Sequence, residues 1–299
     1  MRLGGFVIHG NSADTLGDAL SDLCALCDDV VAVDSGSNDG SAEIAAKSGA
    51  RTLQAPWQGY GYARRVAAEA LAVAGCDYIL FLDSDERFAP GSLEVLRAWR
   101  QSEPTSDIYR LPRHDWVEVE GRRFRYRTES RRRIFRTALA RWDAAMIVHE
   151  SVPGPRGVQL PAAVDHRFAT DLSFRAAKND RYALLWALQA AAEGRSVKPP
   201  GPQRVAHFVK DSFLKGALFR GGLVGARVAW QVSRYHARKY ELLRAVQQGH
   251  FDALLALYRS GQYRELFLKV ADQLPAGPTA PESTNGSTVS TSSGENKMS

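Results

Sequence analysis

The sequence predicts an α/β fold, a mostly parallel sheet with helices on both faces, joined to a basic helical region. Three observations carry that expectation. Over the first hundred residues, short apolar runs alternate with amphipathic stretches of helix length, the order that crossovers between parallel strands require. The apolar runs are continuous, as in VVAV (30–33) and YILFL (78–82), which fits strands covered on both faces. Farther along, residues 167–250 hold 15 Lys and Arg against 5 Asp and Glu in helix-like patterns.

Taken in order, LGGFVIHG (3–10) reads as the first strand. Residues 14–27 read as a helix, with Leu16, Leu20, Leu23 and Cys27 on its apolar side. VVAVD (30–34) is the second strand, and a helix starts near Ser41 and closes at Gly49. The third strand lies within ARTLQAP (50–56). GYARRVAAEALAVAG (61–75) is an Ala-rich helix ending at Gly75, and DYILFLD (77–83) is the fourth strand. After Pro104, residues 107–126 alternate around a turn at Glu120-Gly121, which predicts an antiparallel hairpin. A helix follows over 171–192, then a Pro-rich break, KPPGP, then basic amphipathic helices to about Leu274. The last 25 residues lack aromatic and large aliphatic side chains apart from Val289 and Met298, a composition that predicts disorder. Three regions result: 1–165 for catalysis, 166–274 for acceptor or membrane association, and 275–299 as tail.

The chain has 299 residues, 44% of them hydrophobic, enough for a substantial core. Its net charge of +6, concentrated in the C-terminal half, points to an anionic partner: a membrane surface, a phosphorylated substrate or nucleic acid. Three cysteines make no disulfide framework and suit a reducing compartment. Cys24 and Cys27 match C-x-x-C, but without a second pair of ligands they read as small apolar residues on a buried helix face. The opening apolar stretch is too short for an export signal, and no run is long enough to span a bilayer.

Ligands of open parallel sheets sit at the carboxyl ends of the strands. Asp34 and Asp83 both end strands and so share one crevice, and SGSNDGS after Asp34 is a polar turn through which backbone can approach a ligand. Asp83 and Asp85 can together hold a hard cation, Mg2+ or Mn2+, whose shell is completed by water and phosphate oxygens. Alternatively, the acids of DSDER favour the N-terminal end of a following helix near Pro90.

VVAVDSGSNDGSAEIAAKSGA, PWQGYGYARRVAAEAL, DYILFLDSDERF and VHES, in that order, resemble the inverting glycosyltransferases of family 2. Within that family the chain is most similar to bacterial enzymes that extend lipopolysaccharide core or related envelope glycans. The resemblance implies the GT-A fold, a nucleotide-sugar donor such as a UDP-hexose, and a glycan or glycolipid acceptor. It also implies a cytoplasmic place, peripheral on the inner membrane. Position by position, it implies that Asp34 receives the nucleotide's base or ribose, with Asp39 in the same motif. Asp83 and Asp85 match the D-x-D pair, Asp85 as direct metal ligand and Asp83 nearer the ribose, followed by Glu86. Arg64 falls where a basic residue meets the diphosphate, and Asn11 is the obvious match in the first-strand motif. Arg65 departs from the pattern.

An inverting transfer needs a base to deprotonate the acceptor hydroxyl; Glu150 is the candidate, and His149 is its neighbour and rival. Eight Arg lie among residues 122–136; on a hairpin they form either a solvated face or a site for acceptor phosphates. Nucleic acid is not expected, since no known module fits. Residues 207–243 mix large apolar and basic residues as an interfacial helix does. Two other readings compete: ILFLDSD also looks like the nucleophile strand of haloacid-dehalogenase-type phosphatases, with Asp83 attacking phosphate, and the fold could serve a non-catalytic envelope-associated binding protein.

Overall fold

A computed structural model describes residues 1–148 and 152–274. The expected tail, and His149 and Glu150 with it, lie outside the described residues.

The α/β expectation holds. Strands β1 (Leu3–His9), β2 (Asp29–Asp34), β3 (Arg51–Gln54) and β4 (Tyr78–Asp83) are parallel in the order β3-β2-β1-β4. Helices α1 (Leu16–Leu26), α2 (Ser41–Lys47) and α3 (Tyr60–Val73) connect them. Every residue of β1 is buried, because apolar clusters cover both faces: one includes Leu16, Leu20 and Leu23 of α1, the other Ala63, Ala67 and Leu71 of α3. Fully burying a side chain of this size contributes about 1.5–3 kcal/mol, which is why these runs can be continuous.

The predicted hairpin forms as β6 (Ile108–Val119) and β7 (Arg122–Arg136), and it joins the same sheet, β7 running antiparallel to β4. Three short strands went unread in the sequence: β5 (Glu86–Phe88), β8 (Val158–Gln159) and β9 (Val164–Ala169). Strand β9 lies between β6 and β5. Since β5 follows β4 after two residues yet pairs at the far end of the strand order, the sheet curls, and Ser84 and Asp85 sit at the bend. The helix read near Pro90 is α4 (Ser92–Gln101), so the acids of DSDER belong to a strand end and the bend, not to a helix start.

Strand β9 also crosses the boundary expected between residues 165 and 166. The chain beyond it is helical as expected: α5 (Leu172–Ala192), α6 (Pro200–Val209), α7 (Ala217–Gln247), α8 (Asp252–Arg259) and α9 (Tyr263–Gln273). Asp171 caps α5 by accepting from the backbone N–H of Ser173 and Phe174 at 2.6 and 3.0 Å, an interaction of about 1 kcal/mol. A π-helical turn over Lys210–Leu214 and a break at Gly222, whose φ is +57°, bend the α6–α7 segment. These helices pack on the sheet region through Phe124 and Tyr126 of β7 against Val224 and Val228 of α7, and through Ile147 and Val148 against α5.

The C-x-x-C pair only partly follows expectation. Cys27 is partly buried just past the end of α1, whereas Cys24 is exposed.

Candidate active site

The carboxyl ends of β1, β2 and β4 carry the residues that the sequence singled out. Asp34 is 4% exposed at the end of β2. It accepts from the backbone N–H of Gly36 (3.1 Å) and Ser37 (2.9 Å), the Ser37 hydroxyl (2.7 Å) and Gln54 Nε2 (3.0 Å). Burial disfavours its charge, but the Ser37 and Gln54 hydrogen bonds outweigh this and hold its carboxyl below the usual range.

Two polar loops are stitched together beside it. Asn11, with φ +51°, accepts from the Asn38 N–H at 2.9 Å. Asp39 accepts from the N–H groups of Ala13 (2.9 Å) and Ser41 (3.0 Å) and from the Ser41 hydroxyl. Both Asp39 oxygens are engaged in holding the loops, so its position is that of a brace.

The two D-x-D acids have different surroundings. Arg64 donates to Asp83 Oδ1 at 2.7 Å and Arg133 to Oδ2 at 3.4 Å. The two guanidinium groups lie 4.4 and 4.5 Å from the Phe81 ring centroid, contacts that add cation–π attraction in a desolvated place. Burial alone would raise the Asp83 pKa; Arg64 and Arg133 overcome it and hold the carboxyl far below its ordinary value. Asp85 keeps 36% side-chain exposure, and its Oδ2 lies 3.5 Å from His166 Nε2. It too is held ionised, His166 outweighing the burial effect, with Lys178 of α5 within electrostatic range.

Glu86 is 2% exposed. It accepts from the Asp83 N–H at 3.0 Å and is ion-paired with Arg133. Burial, with the Asp83 charge adding to it and Arg133 opposing, raises its pKa. Behind it, the wholly buried Asp115 binds Arg113 (2.9 Å), Arg127 and His166 Nδ1 (2.7 Å). Asp85 and Asp115 overcome burial and push the His166 pKa up to about 9. Part of the Arg run is therefore neither a solvated face nor free for phosphates: Arg127 and Arg133 are tied into this network.

Asn11, Asp34, Asp39, Arg64, Asp83 and Asp85 thus gather at one edge. Arg65 does not; it is exposed and pairs along α3 with Glu69 at 3.6 Å. Sequence reasoning missed Asp115, Arg133 and His166. Gly61, in the first turn of α3, has a structural reason: a Cβ there would stand 2.1 Å from the Asp143 carbonyl oxygen, and its N–H donates to Met146 O at 3.2 Å. Glycine there lets the segment that leads toward residue 148 lie against the start of α3. Among the described residues, no three acidic, His or Cys side chains converge as a metal cage, so an ion here suits the few-ligand sites that finish their shell with water and phosphate. The partly exposed carboxylate of Asp85 fits that requirement; Asp83, whose oxygens accept from Arg64 at 2.7 Å and Arg133 at 3.4 Å, fits it less well.

Comparison with known proteins adds the following. Residues 6–152 match the model of glycosyl transferase family 2. The lipopolysaccharide core biosynthesis glycosyltransferase LpsC of Rhizobium meliloti is 27% identical over 75% of this chain and 85% of its own length. An uncharacterized glycosyltransferase of Rickettsia felis is 34% identical over 88 residues, only 29% of this chain and 30% of the relative. A solved structure of glucosyl-3-phosphoglycerate synthase from Mycobacterium tuberculosis, in complex with Mg2+ and uridine diphosphate, is 22% identical over 38% of this chain and 43% of its own, with a TM-score of 0.32.

Proposed function

The chain carries a glycosyl transferase family 2 domain over residues 6–152, and from that premise we propose that it transfers a sugar, with inversion, from a nucleotide donor to a lipopolysaccharide core or related lipid-linked acceptor. UDP-hexose is the preferred donor. The observation that carries the reading is the pairing, at one sheet edge, of the buried and fully hydrogen-bonded Asp34 with the partly exposed carboxylate of Asp85.

Asp34, with the loops that Asn11 and Asp39 hold, receives the nucleoside. Asp85 holds Mg2+ or Mn2+, which when bound neutralises the diphosphate and improves it as a leaving group. Arg64 keeps Asp83 ionised and fixes the strand end, while Lys178 adds positive charge beside Asp85. Glu150 takes the acceptor proton, with His149 beside it. The phosphatase alternative loses support, because the Arg64 and Arg133 guanidinium groups on Asp83 hold its charge strongly and make it a poorer nucleophile. The resemblance to the Rhizobium enzyme supports an envelope glycan as acceptor. No helix among the described residues is long and apolar enough to cross a membrane; we place the protein peripherally, on the cytoplasmic face of the inner membrane.

The test is calorimetric titration of the full chain with UDP, GDP and other nucleoside diphosphates, with and without Mn2+. Metal-dependent binding of one of them is expected, and no binding of any would end this reading and favour a binding protein. Turnover then assigns the base: Glu150→Gln should lower kcat by about 100-fold or more while leaving nucleotide affinity in place. A loss of affinity alone would move the base elsewhere.

A further inference from the structure

Away from the sheet edge, α5, α6 and α7 enclose a cleft of about 360 Å3 lined by Asp180, Arg204, Trp230, Arg234, Arg238 and Glu241. We propose that it binds a phosphorylated sugar, with the phosphate held by the three arginines.

Trp230, Arg234, Arg238 and Glu241 recur along α7 at spacings of three and four, so they share one face of that helix. Arg204 of α6 stands across from them, its guanidinium carbon 3.7 Å from the Trp230 ring centroid. Phe208 packs nearly perpendicular to the same ring at 5.7 Å, which makes the indole a held platform. Stacking on it fixes the plane of the Arg204 guanidinium. Its Nε is buried without an acceptor, and among the described residues no carboxylate pairs with it. Withdrawing that N–H from water costs free energy, which a merely solvated surface arginine has no reason to bear.

The arginines opposite are loosely held. Asp180 is 3.6 Å from Arg234 and 4.0 Å from Arg238, too far for good hydrogen bonds, and Arg238 reaches Glu241 at 3.2 Å. Three guanidinium groups thus face two carboxylates in a concave place, leaving positive charge in excess. Guanidinium forks on two walls suit the oxygens of one phosphate. The acids would repel a bare phosphate, yet they accept from hydroxyl groups; a sugar that carries the phosphate satisfies both. Asp180 stands two residues from Lys178, the α5 cation near Asp85, and so on another side of that helix. The cleft is therefore separate from the nucleotide edge. Its use for a phosphorylated acceptor rests on the transfer reading above; the binding itself does not.

The chain has six tryptophans, and the indole N–H resonance absent from the nuclear magnetic resonance spectrum of Trp230→Phe identifies Trp230. The full chain is titrated with the 1- and 6-phosphates of glucose, mannose and galactose. At least one should shift that resonance saturably, an effect weakened by salt. Arg204→Gln and Arg234→Gln should each lower the affinity about tenfold or more while UDP and Mn2+ binding stay as in the wild type. The Arg234 side chain is 57% exposed, so its variant tests the site even if losing Arg204 disturbs the fold. No shift with any sugar phosphate, or unchanged affinity in Arg234→Gln, would overturn the proposal and leave the donor reading standing. So would an equal response to free glucose, inorganic phosphate or soluble dihexanoyl phosphatidic acid. Sugar phosphate binding by a protein that binds no nucleoside diphosphate would instead keep this site and remove the donor reading.

Discussion

Arg133 joins the two halves of the site. It is 3% exposed, pairs with Glu86 and reaches Asp83 at 3.4 Å, so its loss leaves Glu86 charged or protonated in a dry place. Removing one partner of a buried pair costs about 3–5 kcal/mol, whereas replacing both by neutral groups of similar volume is often nearly neutral. Arg133→Met should therefore lower urea-unfolding stability by about that amount, and Arg133→Met with Glu86→Gln should recover most of it. If the double variant is as unstable as the single, the Glu86 charge is not the cause. This residue also shows the limit of sequence reading. Asp34 and Asp83 were legible because an acid that ends an apolar strand has no packing reason to be there, and Asp85 because it follows Asp83 by two residues in the D-x-D spacing. Arg133 and Asp115 were not, because a charged residue on a strand that alternates with apolar ones looks the same whether its face meets water or a buried counter-charge.

Among elements, the long and periodic ones were legible and the short ones were not. The parallel strands, the hairpin and α5 follow from period and punctuation. Strands β5 and β9 escaped because ERF and VDHRFA are short and mix charges of the buried network, Glu86 and His166, with exposed ones, Arg87 and Arg167, so neither reads as a core strand. The α6–α7 segment carries a testable consequence of its own packing. His207 and His236 stack with ring centroids 3.6 Å apart at 4°. Burial, with His207 and Lys239 adding and Asp211 opposing, pushes the His236 pKa down to about 3. The unfolded chain, with an ordinary value of about 6.5, takes up this proton first as pH falls. The stability this packing contributes is thus full above about pH 6.5 and is lost progressively toward pH 3. Thermal unfolding followed by circular dichroism should show the melting temperature falling between pH 6.5 and 5, with a shallower fall in His236→Phe. Parallel curves for the two proteins would show that His236 does not govern the acid limb.

At the scale of the whole molecule, the sequence had already placed basic amphipathic helices after the sheet, but only the fold shows which side chains they leave uncovered. Of twelve large apolar residues exposed among the described residues, six fall within positions 205–223: Val205, Val209, Phe213, Leu214, Phe219 and Leu223. Lys210 and Arg220 are exposed among them, while Asp211, the segment's one acid, is buried under Tyr126 and Lys215. The outward charge is therefore positive, and an apolar patch rimmed by cations suits an anionic lipid surface better than a neutral protein partner. Inserting an exposed Leu or Phe contributes up to about 1.5–3 kcal/mol, and each nearby cation about 1 kcal/mol at an anionic leaflet, enough together for reversible docking. The patch begins on α6 and ends on α7, whose buried face packs on β7, so docking there would bring the sheet's hairpin toward a lipid-linked acceptor without any spanning helix. Co-sedimentation with vesicles should show binding that requires phosphatidylglycerol and weakens with salt. Changing Leu214, Phe219 and Leu223 together to Ser should reduce it at least tenfold, about 1.4 kcal/mol, while Mn2+ and nucleotide binding stay as in the wild type. Vesicle binding that is unchanged in this triple variant, or equal on purely zwitterionic vesicles, would place the membrane contact elsewhere.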